Sequence, residues 1–206
     1  MQLRTFGLKR TIWVLITVTS ALTLSVLAQE VRQEVSVEGT GLFTKQSDGN
    51  GIENRATHSG GFLLGYRYHI NRWLSAEADY GYGRNTQIYS GNVPGRVQAN
   101  LHQITGSAVV HLPGYGKIYP YALAGGGGVI FDPTGNTGGV FPSATQQGRG
   151  ALLYGGGADY NLARHWSIRA EYRGYVYKAP TFGVTSLKTD SWTNLAQPAA
   201  GIVYRF

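Results

Sequence analysis

From residue 33 onward the chain alternates apolar and polar residues with a period of two, and no other feature narrows its fold as far. Successive side chains of a strand point to opposite faces, so such runs describe strands with one apolar and one polar face. Over 166–176, Trp166, Ile168, Ala170, Tyr172, Gly174 and Val176 share one face, and Ser167, Arg169, Glu171, Arg173 and Tyr175 share the other. Over 74–82, Leu74, Ala76, Ala78, Tyr80 and Tyr82 oppose Ser75, Glu77, Asp79 and Gly81. The runs at 62–70 and 35–43 read the same way, with Arg67 and Glu38 on their polar faces. Counting them predicts eight strands, at 33–45, 58–70, 73–84, 97–111, 117–131, 148–160, 165–178 and 191–206.

The connections are as informative as the strands. Those at 71–72, 112–116 and 161–164 are short, whereas those at 46–57, 85–96, 132–147 and 179–190 are long and rich in Gly, Asn, Ser and Thr. Long and short alternate strictly, so the short turns gather at one end of the sheet. After residue 28 no apolar stretch is long enough for a transmembrane helix. Charged residues make up 14% of the chain, well below the roughly 25% of soluble domains. An even number of strands of about ten residues, with short turns at one end and long loops at the other, predicts an all-β fold. It is an eight-stranded antiparallel up-and-down transmembrane β-barrel with four long extracellular loops and three short periplasmic turns. A soluble secreted barrel or sandwich is the alternative. Three details favour the membrane. Tyr66, Tyr68, Trp73, Tyr80, Tyr82, Tyr119, Tyr121, Trp166, Tyr175, Tyr177 and Trp192 lie near strand ends, as interfacial aromatic girdles do. Charges sit mostly on the face opposite the apolar one, and the chain ends with Ile202, Tyr204 and Phe206 on one face.

The first 28 residues read as an address. Arg4, Lys9 and Arg10 precede an uncharged run over 11–27, and Val26-Leu27-Ala28 offers a small-residue exit. Together these describe a cleaved secretory signal peptide, leaving a barrel domain of residues 29–206. The formal net charge of +7 belongs partly to this leader. Without Arg4, Lys9 and Arg10 the 18 basic residues become 15 against 11 acidic, a net charge of +4. The remaining Lys and Arg are scattered, so nucleic acid is not an expected partner. Cysteine is absent, which excludes disulfides, thiolate nucleophiles and cysteine metal sites.

The turn-plus-strand phrase at 71–80, NRWLSAEADY, returns at 164–173 as RHWSIRAEYR, and 117–128 reads KIYPYALAGGGG. These phrases, the alternation and the aromatic terminus resemble the small eight-stranded outer-membrane β-barrels of the outer-membrane protein A and opacity-protein type. The resemblance spans 29–206 and carries no catalytic motif. It implies residence in the outer membrane of a Gram-negative-type bacterium after Sec-type export, with outer-membrane lipids as surroundings. It also implies that Tyr204 and Phe206 belong to a C-terminal signal read by the barrel-assembly machinery.

Eight strands enclose an interior just wide enough for side chains, and open aqueous channels need 16 to 18. Glu38, Arg67, Glu77, Asp79, Arg169, Glu171, Arg173 and Arg205 are expected to point inward and to pair as a salt-bridged plug. A narrow ion path is the sharper alternative. The glycine runs at 125–128 and 155–157 precede no helix and carry no P-loop lysine, so close approach of neighbouring backbones explains them better. An enzyme reading has one suggestive spacing, His165-Trp166-Ser167 with Glu171 on the Ser167 face. Same-face neighbours in a strand lie about 6.6–6.8 Å apart along its axis, too far for a Ser–His bond. The chain is therefore expected not to be an enzyme and to use no cofactor or metal, a lipid-modifying barrel enzyme being the alternative. Recognition falls to the loops, above all 132–147 with Val140 and Phe141, which would meet an extracellular ligand or host surface. N-terminal sequencing of the envelope protein is expected to begin at Gln29, and a mature chain retaining Arg4 and Lys9 would contradict the leader.

Overall fold

In lipid an open sheet edge would leave a row of N–H and C=O groups unpaired, so a spanning sheet has to close on itself. The computed structural model describes residues 32–49, 52–91, 95–134, 145–182 and 191–206. The expected leader lies outside them, as do Val140 and Phe141. The strands are β1 (Gln33–Thr44), β2 (Ser47–Gly49), β3 (Ile52–Ala56), β4 (Ser59–His69) and β5 (Leu74–Gly91). They continue as β6 (Gly95–His111), β7 (Ile118–Pro133), β8 (Gln147–Asn161), β9 (Trp166–Lys178) and β10 (Trp192–Arg205). All pairings are antiparallel, and β1, β4, β5, β6, β7, β8, β9 and β10 follow one another around a closed eight-stranded barrel. The seam joins β1 to β10, from Glu34 opposite Arg205 to Thr44 opposite Leu195. The terminal residue finishes it, since Phe206 N donates to Gln33 O at 2.9 Å.

Faces alternate as the sequence predicts. Along β9, Ser167, Arg169, Glu171, Arg173 and Tyr175 are buried while Trp166, Ile168, Ala170 and Tyr172 are exposed. The exposed apolar side chains, among them Val37, Leu64, Ile104, Leu152 and Ile202, form the outward band that meets lipid. The short turns are held locally. Asn71 Oδ1 accepts from Trp73 N at 2.8 Å and Leu74 N at 2.9 Å, and Gly116 supplies the positive φ of 62° needed in the turn at 112–117. The glycine run of β7 is required at alternate positions. A Cβ on Gly125 or Gly127 would fall 2.1 Å from a carbonyl oxygen of β6, whereas one on Gly128 would meet nothing within 4 Å.

The long connections differ from expectation in two places. The expected loop at 46–57 contains β2 and β3, and that at 85–96 shrinks to 92–94 because β5 and β6 pair out to Tyr89 opposite Gly95. The β3 strand continues along β5 above β4, with Ile52 opposite Gly91 and Ala56 opposite Gln87. Asn85, Gln87 and Tyr89 face inward and Thr86 and Ile88 outward. Both faces are mixed in polarity there, so no apolar alternation marks these residues as strand. The outward register gives a direct test. Ala170→Arg on the lipid face is expected to cost about 2–4 kcal/mol near the bilayer midplane, and Ala170→Leu less than about 0.5 kcal/mol, in denaturant unfolding of the refolded barrel.

Candidate functional site

Side chains that point inward from eight strands meet within one narrow interior, and charged ones must find partners there. At the level nearer the short turns, four arginines interleave with five carboxylates. Arg169 of β9 bonds Asp159 of β8 through Nε at 2.7 Å and Glu34 of β1 through Nη2 at 2.5 Å. Arg67 of β4 reaches Glu34 at 3.2 Å and pairs through Nε with Glu77 of β5. Across the lumen, Arg173 of β9 bonds Glu77 at 2.6 Å and Asp79 at 2.7 Å, and its Nε pairs with Glu171. Arg205 of β10 closes the turn end on Glu34 at 3.1 Å and Asp159 at 3.2 Å. The Tyr121 ring lies under Arg67 at 4.3 Å, and its hydroxyl donates to Glu171 at 2.7 Å. Arg67, Arg169, Arg173, Glu34, Glu77 and Glu171 have side chains at most 1% exposed, and Arg205 is 17% exposed.

Of the eight charges expected in this interior, seven enter the network. Glu38 is the exception. It is 1% exposed, and it makes no ion pair among the described residues. Its register neighbours are Leu63 on β4 and Gly201 on β10, and Arg169, next along that row, is committed to Asp159 and Glu34. The sequence reading missed Glu34, Asp159, Tyr121 and His69. Glu34 shares the parity of Ser36 and Glu38, which was a usable signal. Asp159 sits beyond a glycine-rich stretch with little alternation to assign it a face.

Toward the long connections the interior turns apolar. Leu42, Leu101, Phe131, Tyr177, Phe182 and Leu195 belong to one buried cluster. Phe182 arrives from the connection after β9, with a left-handed φ of 51°, and packs edge-on against Phe131 at 6.1 Å. Gln147 Oε1 accepts from Thr181 N at 2.7 Å and Phe182 N at 3.0 Å, and Tyr89 OH donates to Pro180 O at 3.0 Å. That segment is thereby tied into the barrel mouth.

Tyr66, Tyr68, Tyr80, Trp166 and Trp192 project outward and exposed, Tyr82 is outward and half-buried, and Trp73 and Tyr119 are exposed at the short-turn end. Tyr121, Tyr175 and Tyr177 correct the expectation of a girdle role. They are 3%, 0% and 1% exposed and line the interior, because odd positions of β7 and β9 face inward. At the terminus Tyr204 packs on Trp166 at 4.9 Å and stacks on Phe206 at 6.1 Å. His165 and Ser167 are not brought together. His165 Nδ1 lies 2.9 Å from Arg205 O, and the Ser167 hydroxyl donates to Asn161 Oδ1 at 2.8 Å. A different cluster has the connectivity of a hydrolase triad. Ser75 Oγ lies 2.9 Å from His69 Nδ1 and 2.7 Å from His111 Nε2, and His69 Nε2 lies 3.3 Å from Glu34. Ser75 is 0% exposed and Glu34 is shared among three guanidiniums, so this chain of bonds fastens the network to the wall.

Residues 14–206 match the family model described as the outer membrane protein beta-barrel domain. Among solved structures, OprG of Pseudomonas aeruginosa superposes with a TM-score of 0.60 at 14% identity, over 87% of this chain and 98% of that one. Neisserial surface protein A gives 0.58 at 16% identity, over 84% and 97%. Ail of Yersinia pestis, in complex with the heparin analogue sucrose octasulfate, gives 0.51 at 19% identity, over 85% and 99%. A search of curated protein sequences found no significant match.

The cross-lumen pairing has a measurable consequence. Arg173→Met would leave Asp79 without a cation and take one guanidinium from Glu77 and Glu171, at an expected cost of about 3–5 kcal/mol. A double-mutant cycle of Arg173→Met with Glu77→Gln is expected to show coupling well above the roughly 0–1 kcal/mol of an exposed pair. Equilibrium unfolding of the refolded barrel is the measurement.

Proposed function

Because the chain belongs to the outer-membrane protein β-barrel family, we propose that it acts as a closed scaffold in that membrane. Its long-connection end faces outside and presents an interaction surface, and it is not an enzyme. The observation that carries this reading is the filled interior. A charged layer at one level and an apolar layer closed by Phe182 at the next leave the outer surface as the place for function. Short turns on the periplasmic side are the rule for such barrels. The complex of Ail with a heparin analogue supports an anionic glycan as one class of extracellular ligand. The leader ends at Ala28, and Tyr66, Tyr68, Trp73, Tyr80, Tyr82, Trp166 and Trp192 serve as interfacial anchors. The second reading, a narrow ion path, draws on Glu38, whose carboxylate has no ion pair among the described residues and shares the buried interior with the hydroxyls of Ser36 and Thr40.

Planar-bilayer recording separates the two. The scaffold predicts no stepwise conductance from the refolded protein. Small cation-selective steps that vanish in Glu38→Gln would replace it with the ion path. The aromatic terminus is proposed as the signal to the assembly machinery. Phe206→Ala keeps the backbone bonds to Gln33 and is therefore expected to lower the amount assembled in cells. Refolded stability should stay within about 0.5 kcal/mol of the parent.

A further inference from the structure

The barrel wall is not level at its long-connection end. On one side β3, β5 and β6 rise beyond the other strands, and their outward face carries a graded sequence of side chains. Rows across β5 and β6 read Tyr82 opposite His102, Arg84 opposite Asn100, Thr86 opposite Gln98, and Ile88 opposite Arg96, with Arg55 of β3 on the other side of Ile88. The lowest row is an aromatic ledge. Tyr80 OH lies 2.8 Å from His102 Nδ1, and the Tyr82 ring meets the His102 imidazole edge-on at 5.3 Å.

Immediately above, Asn100 Oδ1 accepts from Tyr82 OH at 3.2 Å and from Arg84 Nε at 2.8 Å. That bond holds the exposed Arg84 by its Nε and leaves both Nη groups for a ligand. Arg55 and Arg96 are exposed, and neither has an ion pair among the described residues. They stand four residues further along the strand, about 13 Å away. Asp48 and Glu53 sit opposite each other at the tip of this face, beyond the arginines, and Asp132 of β7 stands opposite Asn100 on the side away from Arg84.

Depth identifies what this face meets. From Trp73, in the turn just before β5, to Tyr82 is nine residues, about 30 Å of chain. Tilted by the usual 35–45°, it covers about 21–25 Å of height, the thickness of the apolar band of such barrels. Arg84 therefore stands one step above the hydrocarbon, at headgroup level, and Arg55 and Arg96 stand above that.

We propose that this face binds the phosphorylated sugar headgroup of an outer-leaflet glycolipid. Arg84 takes one phosphate over the aromatic ledge. The amides and hydroxyl of Asn100, Gln98 and Thr86 take sugar hydroxyls, and Arg55 with Arg96 takes a second phosphate across the width of a disaccharide. An arginine fork suits phosphate, where a lysine would act only as a point charge. The site rests on the orientation proposed above. Protease cleavage at 92–94 in intact cells tests that orientation separately, so the two failures are distinguishable.

The experiment is native mass spectrometry of the detergent-refolded full barrel with purified diphosphoryl lipid A. The parent protein is expected to retain one lipid. Arg84→Gln and Arg96→Gln should each weaken retention several-fold and the double variant at least tenfold. Monophosphoryl lipid A should bind more weakly to the parent, and Lys117→Gln at the turn end should change nothing. Unheated gel mobility verifies that each variant is folded. Arg96→Gln, at the rim of the wall, carries the test if Arg84→Gln fails to fold. A double variant that binds diphosphoryl lipid A within twofold of the parent overturns the proposal. So does sucrose octasulfate displacing the lipid through the same arginines at equal concentration, which would make this a soluble-polyanion site.

Discussion

Closure of eight strands around an interior the width of two facing side chains is the constraint from which the rest of this protein follows. Closure removes the sheet edges from the eight-stranded wall, as the hydrocarbon demands. It also turns every second residue into a space where water is scarce and opposite walls lie within reach. A guanidinium placed there cannot be left alone. Arg173 lies on β9 and its partners Glu77 and Asp79 on β5, four strands away around the ring. Such contacts span the barrel, whereas the backbone ladder joins only neighbours. Arg169 reaches Glu77 at 3.7 Å and Arg67 reaches Asp159 at 3.9 Å across the same distance, and both share Glu34, so β1, β4, β5, β8 and β9 form one electrostatic unit. Replacing buried ion pairs by well-packed apolar groups is often neutral or stabilising. The network is better understood as fixing register. A strand slipped by one residue would turn its arginine or carboxylate to lipid.

The two layers of the interior divide this work. Near the turns, where β1 meets β10 at the seam, charges lock strands together. Glu34 and Arg205 are direct register partners there as well as an ion pair. Near the long connections the same parity carries Leu42, Leu101, Phe131 and Tyr177, and a residue from outside the wall, Phe182, completes the packing. Its left-handed φ is unusual for an aromatic residue, and hydrogen bonds with Gln147, Thr145 and Tyr89 hold the segment that carries it. The mouth is closed by packing and the base by charge.

The legible part of this structure was the part written in contrast. On β9 and over the first half of β5, one face is apolar and the other polar. Strand, face and closure could all be read from that contrast, along with the membership of Arg67, Glu77, Asp79, Arg169, Glu171, Arg173 and Arg205 in the lumen. Where contrast fails, reading fails. Over 85–91 both faces are mixed, and only pairing with β6 and β3 shows that the chain continues as strand. Residue type points Tyr175 to an interface and parity points it inside, and parity decides. The partners of each charge were out of reach for a different reason. Tilt and stagger, not strand number alone, determine that Glu77 meets Arg173 more closely than Arg169, and that Glu38 meets neither.

The unevenness of the rim follows from the same constraint. Once the interior is filled, residues added at the long-connection end cannot enlarge the lumen, so they extend the wall. Antiparallel pairing makes that extension a strip of only the strands concerned, here β3, β5 and β6. Its inner side still packs on the barrel mouth, with Asn54, Ala56 and Val97 buried. Its outer side is relieved of the apolar composition that lipid imposes lower down. Alternation then places Arg84, Asn100, Gln98 and Arg96 outward by the same parity that places Tyr80 and Ile104 outward within the membrane. One strand thus passes from lipid contact to polar contact without a bend or a bulge. Its outward side chains change from aromatic and apolar to polar and charged between Tyr82 and Arg84.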